Sequence, residues 1–365
     1  MNDNMRTGFF IALFVVVLAL AGYVSWHLWR IAPMGWKWPV TGLFLLWMVS
    51  FFLNFAIAER LPIKAATVLY EVGTTWLMAF LFFLLLFLFA DLASLCHLLS
   101  KNLLKDSALG CCSAIGIVTL ILVLGGIHYH HKYREEITIK TDKLLEKPLT
   151  IVMASDLHIG YHNRKAELAR WVDIINAEHP DLVLFGGDVV DWSLRPIVEG
   201  NYGEEFRRIE APVWAVLGNH EFYGDLPRAE QFYAESGILL LRDSVAHFKG
   251  LDVVGRDDRT NPNRSSVSQL ASGLDGFTIL LDHQPYHLEE AEAAGIDFQF
   301  SGHTHYGQVW PMSWVTALIY EKAWGHHQRG NTQYYITSGL GIWGPKIRVG
   351  SRSEYLVLHI VPNKD

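Results

Sequence analysis

The chain has 365 residues, 51% of them hydrophobic and 18% charged, with a formal net charge of −7. That length leaves room for two units. The acidic balance excludes a nucleic-acid partner met by a basic stripe, and simple electrostatic adhesion to anionic lipid. The charge is divided unevenly: residues 1–130 hold seven Lys/Arg and five Asp/Glu, whereas residues 131–365 hold 23 and 32.

The N-terminal part, residues 1–130, reads as four membrane spans at about residues 8–29, 38–58, 72–90 and 108–127. Each is near the roughly 20 residues needed to cross a bilayer core. Trp26, Trp29, Trp36 and Trp38 cluster as an interfacial aromatic belt does. Arg6 followed by an apolar run and Ala19-Leu20-Ala21 also fits a cleaved signal peptide, but three further apolar stretches favour a span. Glu71 and Asp91 bound the third span, and the charge of Asp91 reads as its end. Leu92, Leu95, Leu99 and Leu103 recur at helical spacing, so Asp91–Asp106 reads as an interfacial helix or as the tilted end of span three. Cys96, Cys111 and Cys112 all fall in this part, where they read as small packing residues, and the rest of the chain has no cysteine to pair. Four spans put both termini on one side. Arg6, Arg60, Lys64, Lys132 and Arg134 lie there, against Arg30, Lys37, Lys101 and Lys105 opposite, a balance that leans to a cytoplasmic catalytic domain.

Residues 131–148 read as a juxtamembrane linker. His128, His130 and His131 read there as a solvated cluster, with metal binding as the alternative, and the alternating EEITIKT opens a sheet. From residue 149 to 365 strands and helices interleave. Lys165–Glu178 has helical periodicity through Leu168, Trp171, Val172 and Ile175, and the strand Asp181–Phe185 follows Pro180. Further helices are expected at Asp225–Ser236 and Tyr286–Ala294, and late strands at Tyr334–Ser338 and Tyr355–Val361.

Five short polar clusters follow apolar, strand-like runs: Asp156-Leu157-His158, Gly187-Asp188-Val189-Val190-Asp191, Gly218-Asn219-His220-Glu221, Asp282-His283 and Gly302-His303-Thr304-His305. Carboxylate, imidazole and amide groups therefore gather where strands end, the place where α/β folds hold their chemistry. A set of oxygen and nitrogen ligands without thiolate suits Mn, Fe, Zn, Co or Ni better than Ca. A two-metal site also needs a ligand that bridges ions about 3.5–4 Å apart, which a carboxylate can do.

In order, the clusters resemble the DxH, GDxxD, GNH(D/E), isolated His and GHxH pattern of the calcineurin-like metallophosphoesterase superfamily, over about residues 150–310. Within it, FGGDVVD, GNHEFY, DHQP and SGHTHYGQ look most like a bacterial membrane-associated branch related to the UDP-2,3-diacylglucosamine pyrophosphatases. The resemblance implies a four-layer αββα sandwich, here preceded by a four-helix transmembrane region. It implies two divalent metal ions, with Mn favoured and Fe, Zn, Co or Ni as alternatives. Asp188 would bridge them; Asp156, His158 and His305 would complete one site, and Asn219, His283 and His303 the other. His220 would protonate the leaving oxygen, Asp191 would orient it, and the nucleophile would be hydroxide formed on the metals.

Two stretches bear on substrate choice. VWPMSWVTALIYEKAW, residues 309–324, is either a core helix over the sheet or an apolar wall or membrane-dipping lip for an acyl chain. Arg256, Arg259 and Arg264 lie in a polar loop that is either solvated or able to grip a phosphate. The expected function is a membrane-bound metallophosphoesterase acting on a lipid or lipid-linked phosphoester or pyrophosphate, with the bilayer as its partner. The alternatives are an anchored broad phosphodiesterase with soluble or cell-wall substrates, and a non-catalytic membrane scaffold.

Overall fold

The computed structural model describes residues 3–363. The side chains of residues 3–11 and 13 lie outside that description, Arg6 of the charge count among them. The chain divides into two compact units, residues 1–125 and 126–365.

The first unit is helical: α1 (Asp3–Ile31), α2 (Lys37–Ile57), α3 (Ile63–Leu95) and α4 (Ala108–His130), whose last turn belongs to the second unit. All four are long and apolar enough to cross a membrane. α2 packs along α3, and α1 along both. Trp76 of α3 is fully buried, stacked on Phe80 with ring centroids 5.1 Å apart. α3 runs past Asp91 to Leu95, as a tilted end of the third span would, and the Asp91 carboxylate has partners on α1: Tyr23 Oη donates to Oδ2 at 2.7 Å and His27 Nε2 lies 3.0 Å from the same oxygen. The alternative of one interfacial helix over residues 91–106 fails. His97 takes a left-handed φ of 60°, which breaks the helical path, and only the 3-10 turn Lys101–Leu103 follows.

The second unit is built on two six-stranded sheets. The strands are β1 (Lys132–Thr141), β2 (Leu149–Ala154), β3 (Leu182–Phe185), β4 (Val213–Ala215), β5 (Ile238–Leu240), β6 (Ser244–Phe248), β7 (Leu251–Gly255), β8 (Phe277–Leu281), β9 (Phe298–Ser301), β10 (Gly325–Arg329), β11 (Thr332–Ile336) and β12 (Ser353–Pro362). Sheet one has the order β1-β12-β2-β3-β4-β5, sheet two β10-β11-β9-β8-β7-β6. β2 to β5 run parallel, as do β7, β8, β9 and β11. The helices are α5 (Lys165–Ala177), α6 (Arg195–Glu199), α7 (Gly203–Phe206), α8 (Asn219–Tyr223), α9 (Leu226–Glu235), α10 (Val267–Leu270), α11 (Leu288–Ala293) and α12 (Met312–Ile319). The linker segment 131–148 contains β1, which pairs with β12 along its whole length.

Strand β2 explains the layering. Its apolar run is continuous because both faces are buried. Ile151 and Met153 face the space between the sheets, with Leu182, Leu184, Ile279, Leu281 and Phe300. Val152 and Ala154 face the other way, against Leu168, Trp171 and Ile175 of α5. A third core lies on the far side of sheet two, where Val254, Leu280 and Ile336 meet Val267, Leu288 and Ala291. The result is the αββα sandwich. The parallel strands β2, β3, β4, β8 and β9 each end just before one of the five polar clusters, so both sheets deliver their loops to one edge.

Candidate metal centre

Each strand gives way to an abrupt turn that aims polar side chains inward. Five of the seven expected ligands take positive φ: Asp156 (56°), His158 (44°), Asp188 (50°), His303 (69°) and His305 (47°). Left-handed backbone is uncommon for residues with a Cβ, so most of the expected ligands stand on strained backbone. Two motif glycines keep those ligands accommodated. A Cβ at Gly218 would fall 2.1 Å from Asp188 Oδ1, and one at Gly302 would fall 2.2 Å from Asp156 Oδ2.

The expected ligand atoms gather in two groups, Asp156 with His158 and His305, and Asp188 with His283 and His303, and a third cluster joins His158 to Asp191 and His220. Within the first, His158 Nε2 and His305 Nε2 are 3.2 Å apart, and His305 Nε2 is 3.4 Å from Asp156 Oδ1. Asp188 reaches both groups. Its Oδ2 is 3.6 Å from His158 Nε2 and 3.2 Å from His283 Nε2. Asn219 Oδ1 joins the second group 2.7 Å from His303 Nδ1.

The donors fit divalent cations. Nitrogen and oxygen ligands about 2.0–2.2 Å from one ion stand roughly 3.0–3.5 Å from each other, close to these spacings. The histidine tautomers agree. His283 Nδ1 donates to Gly186 O at 2.7 Å, which leaves Nε2 as a buried atom without a hydrogen-bond partner, aimed at Asp188. Charge agrees as well. Among the described residues no lysine or arginine pairs with Asp156 or Asp188. Protons fill that role in the protein alone. Burial opposes a charge on His158, but hydrogen bonds to Asp156 and Asp191 raise it to about 10. Burial also opposes a charge on His283, and Asp188 lifts it well above the ordinary histidine value. His303 and His305 are pushed by burial down to about 4 and about 3 and stay neutral, ready to ligate. Burial works against the Asp188 carboxylate too, yet His283 and His220 hold it well below the usual range.

His220 lies beside the first group, with its ring centroid 4.5 Å from that of His158. Its Nδ1 lies 3.0 Å from Asp191 Oδ1, and its backbone N donates to Asp188 Oδ1 at 2.9 Å. The ring edges toward Tyr223 and Trp343, at centroid distances of 5.5 and 6.5 Å. Unlike His158 and His283, it keeps some exposure.

Two residues to which the motifs assign no role hold the centre together. Glu221 is buried. Its Oε2 accepts from Gly218 N at 2.8 Å and Asp188 N at 3.2 Å, and its Oε1 accepts from Val190 N at 3.0 Å and Tyr233 Oη at 2.8 Å. It thus ties the loop after β3 to the loop after β4. Arg348 is likewise buried and donates to His305 O (3.0 Å), Ser338 O (2.6 Å) and Gly341 O (2.8 Å). Burial lowers it only to about 10, so it remains charged at neutral pH. The loop arginines divide. Arg256 and Arg264 are committed to Asp282, at 3.1 and 2.9 Å, whereas Arg259 is exposed with its guanidinium 4.1 Å from the centre of the Tyr286 ring. The first two are therefore neither solvated nor open to a phosphate.

Residues 149–307 match the family model described as calcineurin-like phosphoesterase. This stretch is similar to the calcineurin-like phosphoesterases. A Helicobacter pylori strain J99 protein, named as an uncharacterized metallophosphoesterase, is 30% identical over 236 residues. That match covers 62% of this chain and 64% of the relative, so the chain spans under two thirds of that relative's length. A Danio rerio relative, named as a transmembrane protein with metallophosphoesterase domain, is 29% identical over 305 residues, 75% of this chain and 69% of its own length. A solved archaeal phosphodiesterase aligns with a TM-score of 0.33 at 17% identity, covering 53% of this chain and 84% of that one.

Proposed function

We propose that the chain is a membrane-bound, metal-dependent hydrolase that cleaves a phosphoester or pyrophosphate bond in a lipid or lipid-linked substrate. The observation that carries the hydrolase reading is Asp188, whose Oδ2 lies within 3.6 Å of a nitrogen from each ligand group. In this reading Asp156, His158 and His305 hold one divalent ion, Asn219, His283 and His303 hold the other, and Asp188 is shared. Mn is the favoured ion for this oxygen and nitrogen set. When bound, two such ions supply positive charge to phosphoryl oxygens and make water acidic enough to attack at neutral pH.

The chain's own groups do the rest. Asp191 accepts the Nδ1 proton of His220 and fixes the ring, so that Nε2 can hand a proton to the leaving oxygen.

The membrane part of the reading is supported by the four long apolar helices and by the name of the Danio rerio relative. Four spans exceed what a tether requires, which favours a substrate resident in the bilayer. The wording of the motifs supports a branch related to the UDP-2,3-diacylglucosamine pyrophosphatases, and the balance of basic residues supports a cytoplasmic catalytic domain. The test compares substrates on the purified full chain in liposomes: a lipid phosphoester, a lipid-linked pyrophosphate and a soluble aryl phosphodiester. Faster turnover per accessible molecule of a lipid substrate supports the reading. Preference for the soluble diester would leave an anchored broad phosphodiesterase, and no turnover at all would leave a scaffold.

A further inference from the structure

Helix α12 is exposed in a way a soluble face is not. Of its eight residues only Ser313 is buried. Trp310, just ahead of it, and Trp314, Val315, Leu318 and Ile319 all face outward, Leu318 at 88% exposure and Trp314 at 63%. Residues 309–320 carry no charge. A contiguous uncharged patch of this size marks an interaction surface.

What borders the patch indicates what covers it. Trp310 N donates to Val349 O at 2.6 Å, and Val309 bridges to Val349. Two residues further along the same loop, Ser351 O accepts from His128 Nε2 at 3.0 Å. His128 lies in the last turn of α4, where that helix enters this unit. The loop 349–351 therefore has the end of a membrane-length helix on one side and the start of the apolar patch on the other. Around the same exit two cations, Lys346 and Arg170, face the single carboxylate of Glu167. An uncharged wedge rich in aromatic residues, beside a helix end where Lys346 and Arg170 share one carboxylate, is the composition that enters a lipid interface.

We propose that α12 dips into the bilayer that α4 leaves, seating the metal centre at the headgroup layer. The proposal rests on the reading of α4 as a membrane span. α12 begins seven residues after His305, so lipid contact there sets the height of the metal site above the membrane. Substrates presented at the bilayer surface then meet the metals without leaving it.

The test places a nitroxide label at Leu318→Cys in the full chain, with Cys96, Cys111 and Cys112 each replaced by Ala, in liposomes of phosphatidylcholine and phosphatidylglycerol. The same label at Leu144→Cys, a position also 88% exposed, serves as the aqueous reference. The label at position 318 is expected to relax with oxygen more than with a water-soluble nickel chelate, and the label at 144 the reverse. Equal nickel access at both positions would overturn the proposal. So would spin–spin broadening at 318 that grows with protein-to-lipid ratio, since a second copy would then cover the helix. Hydrolysis of a soluble aryl phosphodiester by the same labelled proteins separates the two readings. Turnover with a water-exposed label sinks the dipping helix alone, and a lipid-buried label without turnover of this diester, a lipid phosphoester or a lipid-linked pyrophosphate sinks the hydrolase alone.

Discussion

His220 Nδ1 and Asp191 Oδ1 are 3.0 Å apart, and that pair fixes which nitrogen of His220 is free to work. With Nδ1–H held by a buried carboxylate, Nε2 is the atom presented to the centre. His220→Ala is expected to keep both metal ions while turnover falls about 10²–10⁴-fold, the scale of a general acid. Substrates with better leaving groups should lose less. Metal analysis and a leaving-group series check this, and metal loss in the variant would make His220 a ligand.

Glu221 accepts four hydrogen bonds that join the Asp188 and Asn219 loops. Glu221→Gln keeps the size but turns one acceptor into a donor against backbone N–H groups. Each donor left unpaired costs about 1–3 kcal/mol. The variant should melt several degrees lower and bind metal more weakly in titration calorimetry. Unchanged melting and affinity would remove Glu221 from the scaffold of the centre.

His162 is buried, and burial pushes it down to about 4. It donates from Nε2 to Ile342 O at 2.6 Å as a neutral ring. Its folded value lies below the unfolded value of 6.5, so its contribution is complete above pH 6.5 and is lost as pH falls from 6.5 toward 4. The shift corresponds to about 3 kcal/mol. His162→Gln retains a donor but cannot titrate. Urea unfolding of the full chain in detergent should therefore show a shallower loss of stability for the variant across that window. Parallel pH profiles would contradict this.

The sandwich and the gathering of the five polar clusters were legible because each is local. A strand-like apolar run ends in a short polar motif, and the motif carries its own ligand types. Arg348 was not assigned a role because its partners are backbone atoms of distant loops, and Glu221 because its bonds to Asp188 N, Val190 N and Tyr233 Oη join segments far apart in sequence. The partners of Asp91, Tyr23 and His27, lie on another helix and have no signature in the local sequence. Leucine spacing misled at residues 91–106, where one left-handed residue, His97, outweighs the periodicity. The apolar stretch at 309–324 was ambiguous because periodicity cannot tell an inner face from an outer one. Exposure of Trp314 and Leu318 settles that it does not cover a sheet.

The central claim is that two divalent ions share Asp188 and that turnover depends on them. Its most direct test measures metal content and aryl phosphodiester hydrolysis together, on the full chain and on Asp188→Ala. The account predicts two ions per chain, loss of activity on chelation and recovery with Mn²⁺, and a variant that loses both ions and turnover. Full activity in verified metal-free protein, or two ions retained by Asp188→Ala, would contradict it.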